Sequence, residues 1–281
     1  MITLDGVSYA YPDAEVFALE NIELHVPERE ILGIVGASGA GKTTLAKAIA
    51  GFIPHVDGGE LSGSVVVDGT DLAGVRLSDA VSKVGLVIQN PFNQISGAKY
   101  TVRDEIAFGL ENIGTPRADM IDQVQAAAEL LRISHLLDRS PYALSGGQQQ
   151  LVAIASMIVM RTPVLVMDEP TSQLDPAGTR MVFDVLSALR DAGTTVIILE
   201  HKLELLREHA DRIAVIADRT IAAIGGAQEI LADPRTEEWG IGSTRVTTAA
   251  RMLAAQGRFE TSQTLPVSVE DAVVAFGTER S

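Results

Sequence analysis

The segment ILGIVGASGAGKTT, residues 31–44, constrains the fold more than any other part of the chain. The run Ile31 to Val35 reads as a buried strand, Gly36 to Thr43 fits G-x-x-x-x-G-K-[ST] in full, and Thr43 to Ala50 reads as a helix. Strand, glycine-rich turn and helix in that order build a phosphate cradle, because glycines let backbone N–H groups face an anion at the positive end of the helix. The candidate nucleotide contacts are therefore Gly36, Ala37, Ser38, Gly39, Ala40, Gly41, Lys42, Thr43 and Thr44. Lys42 would reach the β- and γ-phosphates, and the Thr43 hydroxyl would ligate magnesium. This motif assigns a nucleoside triphosphate site and no reaction.

A second constellation supplies chemistry. In VLVMDEP, residues 164–170, a buried strand ends in two adjacent acids. Asp168 would hold magnesium opposite Thr43, and Glu169 would deprotonate the attacking water. Such a pair alone is more often a solvated turn; combined with the Gly36–Thr43 loop it is not. His201 follows a strand over 195–199, and Gln89 leaves one over 84–88. Both would emerge at the carboxyl edge of a parallel sheet, where ligands collect. There His201 can donate to the γ-phosphate, and Gln89 can sense phosphate or metal.

Around these residues the pattern is α/β. Weak alternation over 1–30 reads as short antiparallel strands, and 63–68 as another. Strands at 164–167 and 195–199, separated by a helix over 178–192, imply a parallel core. Between about 90 and 160 the periodicity is helical, with helices at 101–111, 118–132 and from about Gly146. Residues 212–217 and 220–224 read as a hairpin. Past Pro234 come two more helices, 245–255 and 269–276, with Ser268 as a candidate N-cap.

LSGGQ, Leu144 to Gln148, opens the third helix of the insert. Ser145, the amides of Gly146 and Gly147, and Gln148 make a second anion site. It lies in the insert, away from the first loop, so one nucleotide cannot easily satisfy both within one subunit. Two chains arranged head to tail would close each ATP between the loop of one and LSGGQ of the other.

Composition limits the partners. Lys and Arg number 22 against 37 Asp and Glu, a net charge of −15, which argues against nucleic acid. No cysteine is present, so thiolate metal sites and cysteine nucleophiles are excluded. The start, MITLDGVSYAYP, has neither a basic leader nor an apolar core, which predicts a cytosolic chain. The uncharged stretch Ser140–Met160 is apolar only in its second half, so work at a membrane would require docking there.

With these residues in view, residues 1–234 resemble the ABC transporter ATPases. The resemblance implies a P-loop NTPase (RecA-like) fold over 1–233, with an N-terminal antiparallel β subdomain and an inserted α-helical subdomain at about 90–160. It implies adenine stacking on Tyr11, ATP and magnesium as ligands, and hydrolysis in a dimer with a D-loop at Ser172–Asp175. Two departures stand out: Gln173 replaces the usual alanine of the D-loop, and Lys202 replaces the common aspartate after the switch histidine. Within the family, QNPFNQ at 89–94, RDEIAFGLENIGTP at 103–116 and EHKLE at 200–204 are most like the ATPases of energy-coupling factor importers. These work on the cytoplasmic side of the membrane, with a transmembrane coupling protein and a small substrate-binding membrane protein, in uptake of a vitamin, a precursor or a metal ion. The 234–281 appendage would then assist dimerisation. Competing readings are another ABC transporter class, a soluble non-transport ABC ATPase, a small-molecule P-loop kinase, for which LSGGQ has no use, and a non-hydrolysing regulatory module, which Glu169 opposes.

Overall fold

The computed structural model describes residues 1–256 and 265–277. From the N terminus, β1 (Ile2–Ala10) and β2 (Leu19–Val26) pair antiparallel, and β3 (Ile31–Gly36) carries the chain into the glycine-rich turn and α1 (Lys42–Ile49). β4 (Glu60–Val67) and β5 (Thr70–Asp71) return to the first sheet, ordered β2-β1-β4-β5. After α2 (Leu77–Ala80) comes β6 (Val84–Val87), then three helices in succession: α3 (Val102–Asn112), α4 (Arg117–Leu130) and α5 (Gly146–Ile158). The chain resumes with β7 (Val164–Asp168), α6 (Pro176–Asp191), β8 (Thr195–Leu199), α7 (Leu203–His209), β9 (Arg212–Ala217) and β10 (Thr220–Gly226).

The central sheet runs β10-β9-β3-β8-β7-β6 and is parallel except for its last hairpin. Every residue of β3, β6, β7 and β8 is buried, which is why these strands read as continuous apolar runs rather than alternating ones. Successive side chains point to opposite faces. Leu32, Ile34, Val166 and Ile197 pack with α1 and the antiparallel sheet. Ile31, Val35, Met167 and Ile198 pack with the helices on the other face, among them Val152 of α5 and Phe183 of α6.

Local signals place the helix starts. Thr101 accepts the amide of Asp104 at α3, and Asp175 that of Gly178 at α6, where Pro176 takes the first turn. Ser145 and Gln148 form a reciprocal capping box at α5.

Several short elements depart from the sequence reading. β4 begins at Glu60 rather than Gly63 because the strand passes through an irregularity there: Gly63 has φ +80, and a β-carbon on it would lie 2.5 Å from Asp5 O. β5, α2, α7 and α8 (Ala227–Ala232) were not anticipated, since two, four, seven and six residues are too few to establish a period. No helix among the described residues is long and apolar enough to cross a membrane.

In the tail, α9 (Arg245–Ala255) and α10 (Val269–Gly277) form. Ser268 Oγ accepts from Asp271 N at 3.0 Å, and Asp271 Oδ2 accepts from Ser268 N at 3.0 Å. Residues 257–264 and 278–281 of the anticipated 234–281 appendage lie outside the described residues.

Candidate functional site

The phosphate loop is shaped by close backbone approach. A β-carbon on Gly36 would sit 2.3 Å from Ile216 O, and one on Gly41, at φ +109, 2.8 Å from Ala18 O; only glycine fits either place. No side chain caps α1, so its first N–H groups are left for an anion. Lys42 is buried and folds back over the loop, its Nζ donating to Gly36 O at 2.8 Å and Ala37 O at 3.0 Å. Burial pushes its amine below the ordinary lysine value, opposed by the charges of Glu169 and Asp168.

Asp168, at the end of β7, is buried, and that burial raises its carboxyl above the usual Asp value while the Thr43 hydroxyl acts in the other direction. Thr43, Gln89 and Asp168 line one pocket. A hydroxyl, a carboxylate and an amide oxygen are hard donors, and so few protein ligands suit magnesium, which keeps several waters and takes the rest of its shell from phosphates.

Glu169 has a left-handed backbone, φ 47, while its N–H still donates to Leu199 O at 3.0 Å. This uncommon conformation for a non-glycine residue costs on the order of 1–3 kcal/mol and turns Glu169 away from the extended path of β7. Its Oε2 accepts from Gln89 Nε2 at 2.7 Å, and its Oε1 lies 2.9 Å from His201 Nε2. A carboxylate only accepts, so the imidazole nitrogen carries the hydrogen. Gln89 spends its amide nitrogen on Glu169, which leaves any metal contact to its oxygen.

A cleft of about 510 Å³ joins the phosphate loop to Gln89 and Glu169; Asp168 and His201 do not line it. It is lined by Tyr11, Val16 and Phe17, by Ser38, Gly39 and Gly41 to Thr44, and by Gln89 and Glu169. The Tyr11 hydroxyl is 3.1 Å from Thr44 Oγ1, and its ring meets Tyr9 edge-on at 4.9 Å. Val16, Phe17 and Arg219 were missed in the sequence. Val16 and Phe17 are exposed apolar side chains with no periodicity to mark them, and Arg219 arrives from the β9–β10 turn. Ala37 and Ala40 face a neighbouring hollow with Trp239 and Gly240. Ser145, Gly146, Gly147 and Gln148 do not line the cleft. Instead Gly146 and Gly147 pack on Gln173, whose O would lie 2.9 Å from a β-carbon on Gly147.

Residues 19–172 match the profile of the ABC transporter family, a span holding the phosphate loop, Gln89, LSGGQ, Asp168 and Glu169. The chain belongs to the ABC transporter family. It is 41% identical over 232 residues to the energy-coupling factor transporter ATP-binding protein EcfA1 of Bacillus licheniformis, covering 82% of this chain and 80% of that protein. Its structure resembles that of CbiO1 of Clostridium perfringens, part of the ABC transporter complex CbiONQ, with TM-score 0.74 and 26% identity over 92% of this chain and 98% of that one. It also resembles a dimeric ATP-binding cassette in a post-hydrolysis state bound to ADP and phosphate, with TM-score 0.71 and 25% identity over 81% and 99% of the two chains. This ABC protein is thus an ATPase subunit of a transporter, built on the α/β cassette fold.

Proposed function

We propose that this ATPase powers an energy-coupling factor type importer, hydrolysing ATP in two composite sites of a dimer. The observation that carries the catalytic half is Glu169, held between Gln89 and His201 and lining the same cleft as the phosphate loop. ATP would lie with its base against Tyr11 and its phosphates in Gly36–Thr44. Lys42 would exchange its carbonyl partners for phosphate oxygens. Glu169 would take a proton from water as the water oxygen bonds the γ-phosphorus and the bridging bond to ADP breaks. His201 would donate to a γ-phosphate oxygen. Thr43 and Asp168, with the Gln89 oxygen, would hold magnesium, which when bound neutralises charge developing on the phosphates.

The dimer supports the remaining motif. Ser145, Gly146, Gly147 and Gln148 lie outside the cleft of their own chain, and the cassette resembling this one that is bound to ADP and phosphate is a dimer. A head-to-tail partner would bring LSGGQ over the ATP of the first chain, and the 234–281 appendage would add contacts between the two. The partner cassette can be a second copy or an unlike chain.

The importer half rests on relatives and on a groove. An apolar groove lined by Phe52, Val81, Leu86, Gly109 and Met160 shares Ile88 and Asn93 with the pocket of Gln89. Phe92 and Tyr142 stand exposed in an edge-on pair 6.4 Å apart. A transmembrane coupling protein docked there would feel movement of Gln89 and would keep this chain on the cytoplasmic face of the membrane. A small substrate-binding membrane protein would complete the importer. Detergent co-purification of the tagged chain from its native cells tests this. The expected result is recovery of a multi-spanning coupling protein together with a small membrane protein; recovery of soluble partners alone would overturn the importer reading and leave the ATPase standing.

A further inference from the structure

The residues on either side of the candidate centre are tied by contacts that hydrolysis itself does not use. Thr171, two residues past Glu169, is fully buried, and Glu200, one residue before His201, is 3% exposed. The Thr171 hydroxyl donates to Glu200 Oε1. Glu200 Oε2 accepts the backbone N–H groups of His201 at 3.0 Å and Lys202 at 3.4 Å. From the other side Lys202 Nζ donates to Thr171 Oγ1 at 2.7 Å, Thr171 O at 3.0 Å and Thr179 Oγ1 at 3.2 Å. One buried hydroxyl is therefore gripped by a carboxylate and an ammonium at once.

We infer that Glu200, Thr171 and Lys202 form a clasp that sets the separation of Glu169 and His201, making Thr171 and Lys202 positioning residues for hydrolysis. The inference rests on the reading of Glu169 as base. Pairing of β7 with β8 ends at Asp168 and Leu199, and beyond it only the Glu169 N–H to Leu199 O bond continues the ladder. Past that bond the two loops meet through the Glu169–His201 side-chain contact, which lies at the reacting end, and through the clasp, which joins them one residue before His201 and two after Glu169. A buried ionised group is costly, and an apolar trio of similar volume would often be as stable or more so. What charged and hydroxyl groups add is direction: each hydrogen bond fixes an angle as well as a distance. Lys202 also reaches Thr179 on α6, so the clasp anchors the turn over 171–175 to the helix that follows. The lysine that departs from the usual aspartate thereby has a structural use.

The test is steady-state ATP hydrolysis by the full chain in four variants, with the fraction folded read by circular dichroism. Thr171→Val keeps the shape and removes the hydroxyl, and Lys202→Met keeps the stem and removes the donor. A misplacement of about 1 Å at a reacting group is worth about a hundredfold, so both should lower kcat by roughly ten- to a hundredfold while KM for ATP stays within about twofold. Thr171→Ser, which restores the hydroxyl, should recover kcat to within about threefold of wild type. Lys202→Met decides where Thr171→Val does not fold. The clasp is overturned if both variants keep kcat within about threefold, if the loss lies in KM, or if Thr171→Ser is as impaired as Thr171→Val. Glu169→Gln separates the two ideas: if it hydrolyses like wild type, the base assignment falls and the clasp with it, whereas if it is inactive and the clasp variants are not, the clasp alone falls.

Discussion

His201 Nε2 lies 2.9 Å from Glu169 Oε1, although the two residues stand on loops that follow different strands. Neighbouring parallel strands deliver their carboxyl ends to one edge of the sheet, so β7 and β8 bring together residues far apart in sequence. The contact gives His201 two roles in the proposed cycle: it holds the Glu169 carboxylate in place before ATP closes over it and offers a donor to the γ-phosphate afterwards.

Replacing that imidazole should therefore damage turnover more than binding. His201→Ala is expected to lower kcat by about 10²–10³-fold, the range for removing one donor aimed at a developing oxyanion, with KM for ATP changed by less than about threefold. Steady-state assays at saturating magnesium check this. A loss carried by KM would mean that His201 serves binding.

The raised carboxyl of Asp168 fixes the sign of a pH effect. A carboxyl whose folded pKa exceeds its unfolded value binds its proton more tightly in the folded chain, so its contribution to stability is greatest below the ordinary value of 3.8 and declines as pH rises through the interval up to the folded value. Asp168→Asn removes that decline. Thermal unfolding of the nucleotide-free chain across this interval should show the variant gaining on wild type as pH rises; in a separate melt with magnesium and ATP added, the variant should lack the extra stabilisation that wild type gains. Parallel curves for the two proteins would contradict the assignment of a raised pKa.

The composite site predicts complementation. Lys42→Ala disables the phosphate loop of one chain, and Gly147→Asp disables LSGGQ of the other, since a side chain at Gly147 meets Gln173 O at 2.9 Å and adds negative charge where phosphate would bind. Each variant alone should show little hydrolysis. An equal mixture contains mixed dimers with one intact site, so activity should return to a substantial fraction of wild type. Mixed dimers that form with ATP and stay inactive would contradict the head-to-tail arrangement.

Much of this was legible in the sequence, for physical reasons that differ by residue. β3, β7 and β8 are buried on both faces, so their apolar runs and the turn residues beyond them carried both the strand and the chemistry at its end. LSGGQ was read as opening a helix, and α5 does start there, with Ser145 and Gln148 forming its capping box. Gln89 was different: its place at a strand end was readable, but its hydrogen bond to Glu169 depends on side-chain direction, which spacing does not encode. Glu200 and Lys202 acquire meaning only when β8 lies beside β7 and brings them to Thr171. Arg219 reaches the cleft from a hairpin turn whose position depends on β9 pairing with β3. Long-range pairing, in each of these cases, supplied what local pattern could not.

The central claim is that Glu169 takes the proton from the attacking water, and single-turnover hydrolysis by Glu169→Gln measures it most directly. The amide keeps the size of the side chain and much of its hydrogen bonding and removes its basicity. The account predicts ATP bound with wild-type affinity, a dimer stabilised by unhydrolysed ATP, and a chemical step slowed by about 10²–10⁴-fold. Hydrolysis at the wild-type rate, with ATP bound as tightly, would contradict it.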